Sequence, residues 1–335
     1  MKTITIIFSF LSISSHAGLF QIVNRTGTCQ SACDFLENEV NDNLPDADAS
    51  NYLKGMANSS VTSQKGLGAS YGSNIEFIEV GFTGGLGADL GDNSTSDLVK
   101  GDVDYDQIRG VGFGGAVSLG LKGSLFGNKL GPLDMKRTSF YGYFLDIDPP
   151  DLDDIKGKTT SFGLHIQYKL IPQITLGPGL LSWGGVDVTT GLERASMRLN
   201  FVKGITESAS SGGASASFDG TATVGADVTT YTIPLEVSTN VSLLHVFTLF
   251  GGMGADLSFG KAESIANLTG NVTVSGGGTG EGNLDLGQEE SPDVLSLRGF
   301  MGLQLNFTAL NTFLLVNKGF TNDTLGLSLG IRLAF

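Results

Sequence analysis

Cysteine and histidine are nearly missing from this 335-residue chain, and each shortage excludes something. The two cysteines, Cys29 and Cys33, stand four positions apart, and the next histidine after them is His165. That spacing favours a short-range disulfide in an oxidising compartment over a Cys/His metal site. Acid–base chemistry has little to draw on, because only three histidines occur in the chain. Basic residues are also short: 20 Lys and Arg against 34 Asp and Glu give a net charge of −14, which argues against nucleic acid as a partner. Finally, no stretch offers the roughly 20 apolar residues of a membrane-spanning helix. The nearest, Val241 to Phe259, is broken by His245, Gly251, Gly252, Gly254 and Asp256.

The chain is nonetheless greasy, at 40% hydrophobic residues and a mean hydropathy of +0.12. Its first 17 residues read as a signal peptide. Lys2 gives a positive start, Ile4 to Ile13 is apolar, and Ser15-His16-Ala17 is a small-x-small cleavage site. Thr26-Gly27-Thr28 before Cys29 lacks the apolar residue of a lipobox. An exported, apolar chain without a helical span is a barrel candidate, since only helices and closed barrels satisfy the backbone inside lipid. Residues 18–66 are different in kind. Ala32, Phe35, Leu36 and Val40, then Ala49, Tyr52, Leu53 and Met56, fall at helical spacing, with Pro45 between them and Asp46 or Asp48 placed to cap the second stretch. Two such short helices must bury their apolar faces, either as a plug in a lumen or on a periplasmic surface.

From residue 67 the period becomes two, the signature of strands whose side chains alternate between faces. One stripe is Ile78, Val80, Phe82 and Leu86; another is Val111, Phe113, Val117, Leu119 and Leu121. Tyr141, Tyr143, Leu145 and Ile147 form a third, with aromatics suited to an interfacial girdle. Phe162, Leu164, Ile166, Tyr168 and Leu170 alternate cleanly with Ser161, Gly163, His165, Gln167 and Lys169. Between Trp183 and Val202 the apolar parity changes, which predicts either a bulge near Glu193–Ala195 or two strands. Further stripes run through Tyr231–Val237, Phe247–Phe259, Leu295–Phe307 and Thr312–Phe320. Short connections alternate with long polar ones at 91–106, 148–158, 204–227 and 261–293. Glycine, at 49 residues, recurs inside the strands and not only between them.

The last eleven residues, Leu325 to Phe335, set Leu325, Leu327, Leu329, Ile331, Leu333 and Phe335 on one face and small or polar residues on the other. A closing strand that ends on an aromatic resembles that of bacterial outer-membrane β-barrel proteins. The resemblance implies that Leu333 and Phe335 belong to the signal read by the barrel assembly machinery, and that lipid and lipopolysaccharide surround the wall. Periplasmic termini, short periplasmic turns and longer outer loops would then follow. The expected fold is all-β: an antiparallel transmembrane barrel of about ten strands, eight to twelve, over residues 67–335, preceded by the helical segment. A soluble β-sandwich is the competing fold, and the leader, terminal Phe and loop asymmetry weigh against it.

If the apolar stripes face lipid, Glu79, Lys122, His165, Lys169, Arg198, Glu236, Arg298 and Arg332 line the lumen. With both signs present, paired charges filling a narrow interior are expected, and Glu79 and Arg332 form a candidate pair across the closing seam. Catalysis is not expected: Ser161 shares a face with His165 but lies about 13 Å away along a strand, beyond nucleophile–base contact. His245 belongs at the membrane interface beside a short turn. Asp102, Asp104 and Asp106 open like a calcium loop, yet Gln107 and Phe113 occupy the positions of its Gly and Glu. Asp146, Asp148, Asp151, Asp153 and Asp154 read as a solvated loop, and Gly276 to Gly282 as a loop tip with no following helix to cradle phosphate. No cofactor or metal is expected. The functional expectation is a non-enzymatic outer-membrane protein, with narrow porin-like passage or a structural surface role. An adhesive surface protein is the alternative, and a lipid-modifying enzyme is the remotest reading.

Overall fold

The computed structural model describes residues 20–335 except 28, 43–48, 73–74, 94–96, 98–99, 103, 105–106, 149–154, 177–179, 212–213 and 286. The leader, Pro45, the two capping aspartates, Asp106 and Asp151, Asp153 and Asp154 fall outside the described residues. The chain opens with β1 (Gln21–Thr26), α1 (Cys29–Asp42) and α2 (Ser50–Ser63). Then come β2 (Ile78–Asp89), β3 (Gly110–Lys122), β4 (Thr138–Ile147), β5 (Ile155–Ile171) and β6 (Leu181–Ser211). The remainder is β7 (Ala214–Leu243), β8 (Phe247–Val274), β9 (Gly278–Asp285), β10 (Leu295–Phe307), β11 (Leu310–Gly319) and β12 (Thr324–Ala334).

Ten of these strands close a ring. Each of β2 to β7 pairs antiparallel with the next, β7 pairs β8, and the lower half of β8 pairs β10. The circuit finishes through β11 and β12 back to β2, with Leu333 opposite Val80 and Thr324 opposite Asp89. Closure leaves no edge in the ring, and the strand number is the ten expected from the stripes. At the seam the Phe335 N–H donates to the Ile78 carbonyl at 2.8 Å.

Leu249, Met253, Leu235, Leu164, Leu329 and Met301 are each more than half exposed on the outer wall. In water this belt would be a severe liability; against acyl chains it is the required surface. On β8 it runs from Phe247 to Phe259, about 40 Å of strand, which at a barrel tilt near 40° spans about 30 Å of hydrocarbon.

Three strands continue past the belt without changing register, and there their polarity inverts. On β7 the inward residues Thr230, Thr232, Glu236, Ser238 and Asn240 give way to Ala226, Val228, Ala222, Phe218 and Ala216. Outward, Ile233, Leu235 and Val237 give way to Asp227, Thr223, Thr221 and Asp219. The switch falls at one level on all three strands, where Arg194, Tyr231 and Phe259 are cross-strand partners. Tyr231 stacks on Phe259 at 5.9 Å, and the Arg194 guanidinium lies 5.9 Å over the Tyr231 ring. Stacked aromatics with a cation above them mark an interface between hydrocarbon and water.

Beyond that level the extensions of β6, β7 and β8 form a projecting sheet with β9 and β1 in the order β6-β7-β8-β9-β1. Helices α1 and α2 cover its inner face. Phe20, Ile22, Cys29, Cys33, Leu36, Leu53 and Met56 pack there with Met197, Ile205, Phe218, Leu268, Val272 and Leu284 in one core. This head has the usual arrangement of a water-soluble α/β layer.

Several expectations need correction. No bulge occurs at Glu193–Ala195; β6 runs straight through, and its irregularity lies at Gly184–Gly185 instead. The change of apolar parity there is the polarity inversion itself. Arg198 therefore faces outward on the head, ion-paired with Asp227 and exposed, not in the lumen. The supposed polar links 204–227 and 261–293 are largely head strands whose water-facing sides carry Thr, Asn and Asp. Of the Gly276–Gly282 tip, only the turn before β9 is loop. Tyr141 and Tyr143 point inward and are buried, because Phe140, Gly142 and Phe144 take the outer face of β4. The described chain also begins at the head end, opposite Phe335, so its two ends do not share a side.

Candidate functional site

Helix α2 leaves the head core at Met56 and enters the barrel, where Asn58-Ser59-Ser60-Val61-Thr62-Ser63 is buried throughout. Of the four hydroxyls in this buried run, three donate to backbone carbonyls. Ser59 Oγ donates to the Gly110 carbonyl at 3.0 Å, Thr62 Oγ1 to Asn58 O and Ser63 Oγ to Ser60 O. The helix also needs a wall without side chains. A Cβ on Gly85 would lie 2.1 Å from the Ser63 carbonyl oxygen, and one on Gly87 2.2 Å from that of Ser59. Gly110, Gly112 and Gly114 form the neighbouring row on β3. These glycines are a slot for a helix, a role beyond strand coiling that alternation alone does not reveal.

Gly66, at φ +81°, ends the helical turns, and the chain continues as a strap down the lumen. The strap is buried from Gln64 to Gly72 and again at Ile75. Tyr71 lies 4.9 Å from the Phe300 ring and 5.9 Å from that of Phe250, within an apolar cluster with Ala69, Ile75, Tyr141, Phe313 and Leu315. The Arg332 guanidinium sits 4.2 Å over Phe313 and donates to the carbonyls of Gly66 (3.1 Å) and Ala69 (2.9 Å). Gln167 and Asn240 donate to the carbonyls of Ser70 and Tyr71. The strap's backbone is thus tied to β5, β7 and β12.

An ionic network surrounds its first residue. Lys65 Nζ, about 1% exposed, reaches Glu193 at 2.6 Å and Asp256 at 3.0 Å. Arg298 takes the other Asp256 oxygen at 2.8 Å, donates to Asn317 at 2.9 Å and pairs with Glu236, which also accepts from the Tyr71 hydroxyl at 2.8 Å. His165 Nε2 stands 3.3 Å from Glu193, with the Tyr143 ring edge-on to its imidazole. Lower down, Glu79 lies 3.7 Å from Arg332 across the β2–β12 seam. Around Lys65, Asp256 and Arg298 the opposite charges are in direct contact, which is what makes buried charge tolerable. Arg332 Nε and both ring nitrogens of His165, by contrast, make no hydrogen bond among the described residues.

The structure thus brings together Glu79, His165, Glu236, Arg298 and Arg332. Lys122 and Lys169 are half-buried inside the near mouth, Lys169 bonded to Asp187 at 2.8 Å and to the Gly184 carbonyl. Arg198 is elsewhere. Sequence reasoning missed Lys65, Glu193, Asp256 and Tyr71. A signal existed for Lys65: the apolar stripe of Tyr52, Leu53 and Met56 stops short of it, and the helix ends in the polar run Asn58 to Ser63 just before it. Ser161 Oγ accepts from the Gly115 N–H and has no histidine partner. His245, at φ +59°, sits in the β7–β8 turn. Among the described residues no three His, Cys, Asp or Glu side chains are grouped to hold a metal. Cys29 and Cys33 are disulfide-bonded and fully buried in the head.

On the water side of the head sheet, Asp219, Thr221, Thr269, Asn271, Glu281 and Asn283 line a shallow groove of about 470 Å³. These residues form two rows across β7, β8 and β9, since Asp219 pairs with Asn271 and Asn271 with Glu281. Beneath it, Gly220, Gly270 and Gly282 leave room for the edge-to-face rings of Phe218 and Phe20.

The Lsa36-like family model matches residues 21–335, so the match takes in head, strap and barrel together. The chain belongs to the Lsa36-like family. Curated proteins give no match to this sequence. Among solved structures, the chain is similar to the translocator domain of autotransporter NalP from Neisseria meningitidis at 11% identity, covering 82% of this chain and 93% of that one, with a TM-score of 0.31. It is similar to the CymD monoaromatic hydrocarbon channel at 9% identity, over 84% and 98% of the two chains, with a TM-score of 0.26. LpxR from Salmonella typhimurium matches at 9% identity, over 76% and 100%, with a TM-score of 0.25. At such TM-scores none of the three bears on how this family member works.

Proposed function

We propose that this protein is a non-enzymatic outer-membrane surface protein: a sealed barrel that anchors and displays a rigid head outside the cell. The observation that carries the reading is the single inversion level at Arg194, Tyr231 and Phe259, which divides a lipid-type surface from a water-type one. The filled lumen argues against solute passage, because the strap and the Lys65 network occupy the interior a ten-stranded ring leaves. The leader and the resemblance of the last strand to an assembly signal at Leu333 and Phe335 favour the head as the outer pole. The groove lined by Asp219, Asn271 and Glu281 is then the face offered to polar partners.

Two measurements test this. Single-channel recording of the refolded protein should show a silent membrane; steady open steps would restore the narrow-channel reading. On intact cells, an antibody to the β8–β9 turn should bind without permeabilisation. Binding only after permeabilisation would reverse the orientation.

A further inference from the structure

The barrel's near end holds a folded element unlike its two tight turns. At that end β7 and β8 are joined by residues 244–246, and β10 and β11 by 308–309. The β3–β4 connection instead takes residues 123–137. It is built, not slack: a 3₁₀ turn at Gly123–Phe126, a short ladder between Lys129–Leu130 and Leu133–Asp134, and a second 3₁₀ turn at Met135–Arg137. Met135 is buried and donates its N–H to the Asn128 carbonyl at 3.1 Å, while Asp134 caps the last turn through the Lys136 N–H.

This foot shows its apolar side chains to the outside. Phe126 and Leu130 are more than 60% exposed, and Leu125 and Leu133 more than 40%. The Phe126 ring meets Phe140 edge-on at 5.9 Å, and Phe140 lies on the outer face of β4. The foot therefore folds against the outer wall and extends the apolar belt at its near margin. Its charge is unlike that of the acidic chain as a whole: Lys129, Lys136 and Arg137 are exposed beside one acid, Asp134. The Asp134 carboxylate is engaged by the Lys136 N–H and lies 3.9 Å from Arg137, and Lys129 and Lys136 have no ion pair among the described residues.

We infer that the foot is a binding site for anionic phospholipid in the near leaflet. Leu125, Phe126, Leu130 and Leu133 enter the acyl region, and Lys129, Lys136 and Arg137 hold the headgroup phosphate. Apolar anchors flanked by cations are the arrangement that draws a protein surface to anionic lipid. The inference deepens the membrane-anchor reading and rests on the belt facing lipid; it does not depend on a silent lumen.

The test uses full-length refolded protein in nanodiscs of equimolar phosphatidylglycerol and phosphatidylcholine, with the lipids retained after detergent extraction counted by native mass spectrometry. The wild type should retain phosphatidylglycerol in preference. The K129Q/K136Q/R137Q variant should lose that preference, by about fivefold for each cation removed, while its heat-modifiable migration stays unchanged. K203Q, on the head, is the control and should behave as wild type. F126S/L130S keeps the cations and should retain less of both lipids. Equal retention of the two lipids by the wild type, or a preference that survives in the triple variant, would overturn the inference. If the preference holds while the head proves inaccessible on intact cells, the lipid site stands and only the proposed orientation fails.

Discussion

Below the level of Tyr231, the strands of this protein solve one solvent problem; above it, the same strands solve the opposite one. In the barrel, Leu235 and Val237 face out while Thr232 and Glu236 face in; in the head, Asp219 and Thr221 face out while Phe218 and Ala222 face in. Hydrogen bonding and register are continuous across the boundary. The pairing register thus carries no record of where the membrane ends; side-chain chemistry sets it. The interiors differ as well. The head is held by apolar packing, whose strength follows buried area. The lumen is held by charges and hydrogen bonds that are costly when incomplete.

That difference is broken most sharply by Lys65→Met. The change leaves Glu193 and Asp256 facing each other without their shared cation, and loss of one partner in a buried network costs about 3–5 kcal/mol. The midpoint of heat-modifiable migration should fall steeply, and a companion Glu193→Gln should recover part of the loss. Phe218→Ala is the counterpart in the head and should cost about 3–5 kcal/mol by opening a cavity. Its effect should appear as protease cleavage within the head, with heat-modifiability preserved. If Lys65→Met proves neutral, the strap is not held by its charges.

The outer surfaces give the next contrast. Met253 lies at the middle of the β8 belt segment and is 65% exposed. Arginine there should cost about 2–4 kcal/mol, as expected for a lipid-facing position at the midplane. Asn271→Arg, outward on the same strand but in the head, should fall within about 0.5 kcal/mol of wild type. Denaturant titrations in matched bilayers compare the two. Equal effects would mean that the belt does not meet lipid.

The same boundary explains what could be read from the sequence. The belt was legible because lipid demands large apolar residues at every second position, and that rule yielded ten strands and placed Glu79, His165, Glu236, Arg298 and Arg332 inside. It failed beyond Leu192, where Met197 and Arg198 obey the opposite rule. It also failed on β4, where Phe140 and Tyr141 make both faces aromatic and the inward tyrosines fill space beside the strap. Residues 204–227 and 261–293 looked like loops because a strand with alanine and glycine inside and threonine and asparagine outside has weak alternation. The Lys65 network was invisible for another reason: its carboxylates come from positions 193 and 256, and only closure of the ring brings them together.

The disulfide sharpens the comparison at lower energy. Cys29–Cys33 closes a five-residue loop in the head core, for which loop-closure entropy allows about 2 kcal/mol. Reductant, or Cys29→Ser with Cys33→Ser, should speed hydrogen exchange in α1 and leave the α2–strap region of the lumen unchanged. Transmission of the change into the lumen would show that head and barrel act as one cooperative unit.

The smallest effect lies just above the boundary. Lys261 ion-pairs with Glu263 and lies 3.3 Å from Glu289, all on the exposed face of the head. Its hydrogen bond holds the Glu263 carboxyl below the usual glutamate range. A lowered folded pKa means that this contribution is complete above the unfolded value, about 4.3, and disappears as the pH falls through the folded one. Acidification below pH 4 should therefore loosen the Lys261–Glu289 corner first, with Glu263→Gln abolishing the pH dependence and high salt masking it. The corner is solvated, so the shift should be visible in local exchange at β8 but not in the global midpoint. A comparable response at Met253 would place that residue in water as well, and the inversion level would then not be the edge of the membrane.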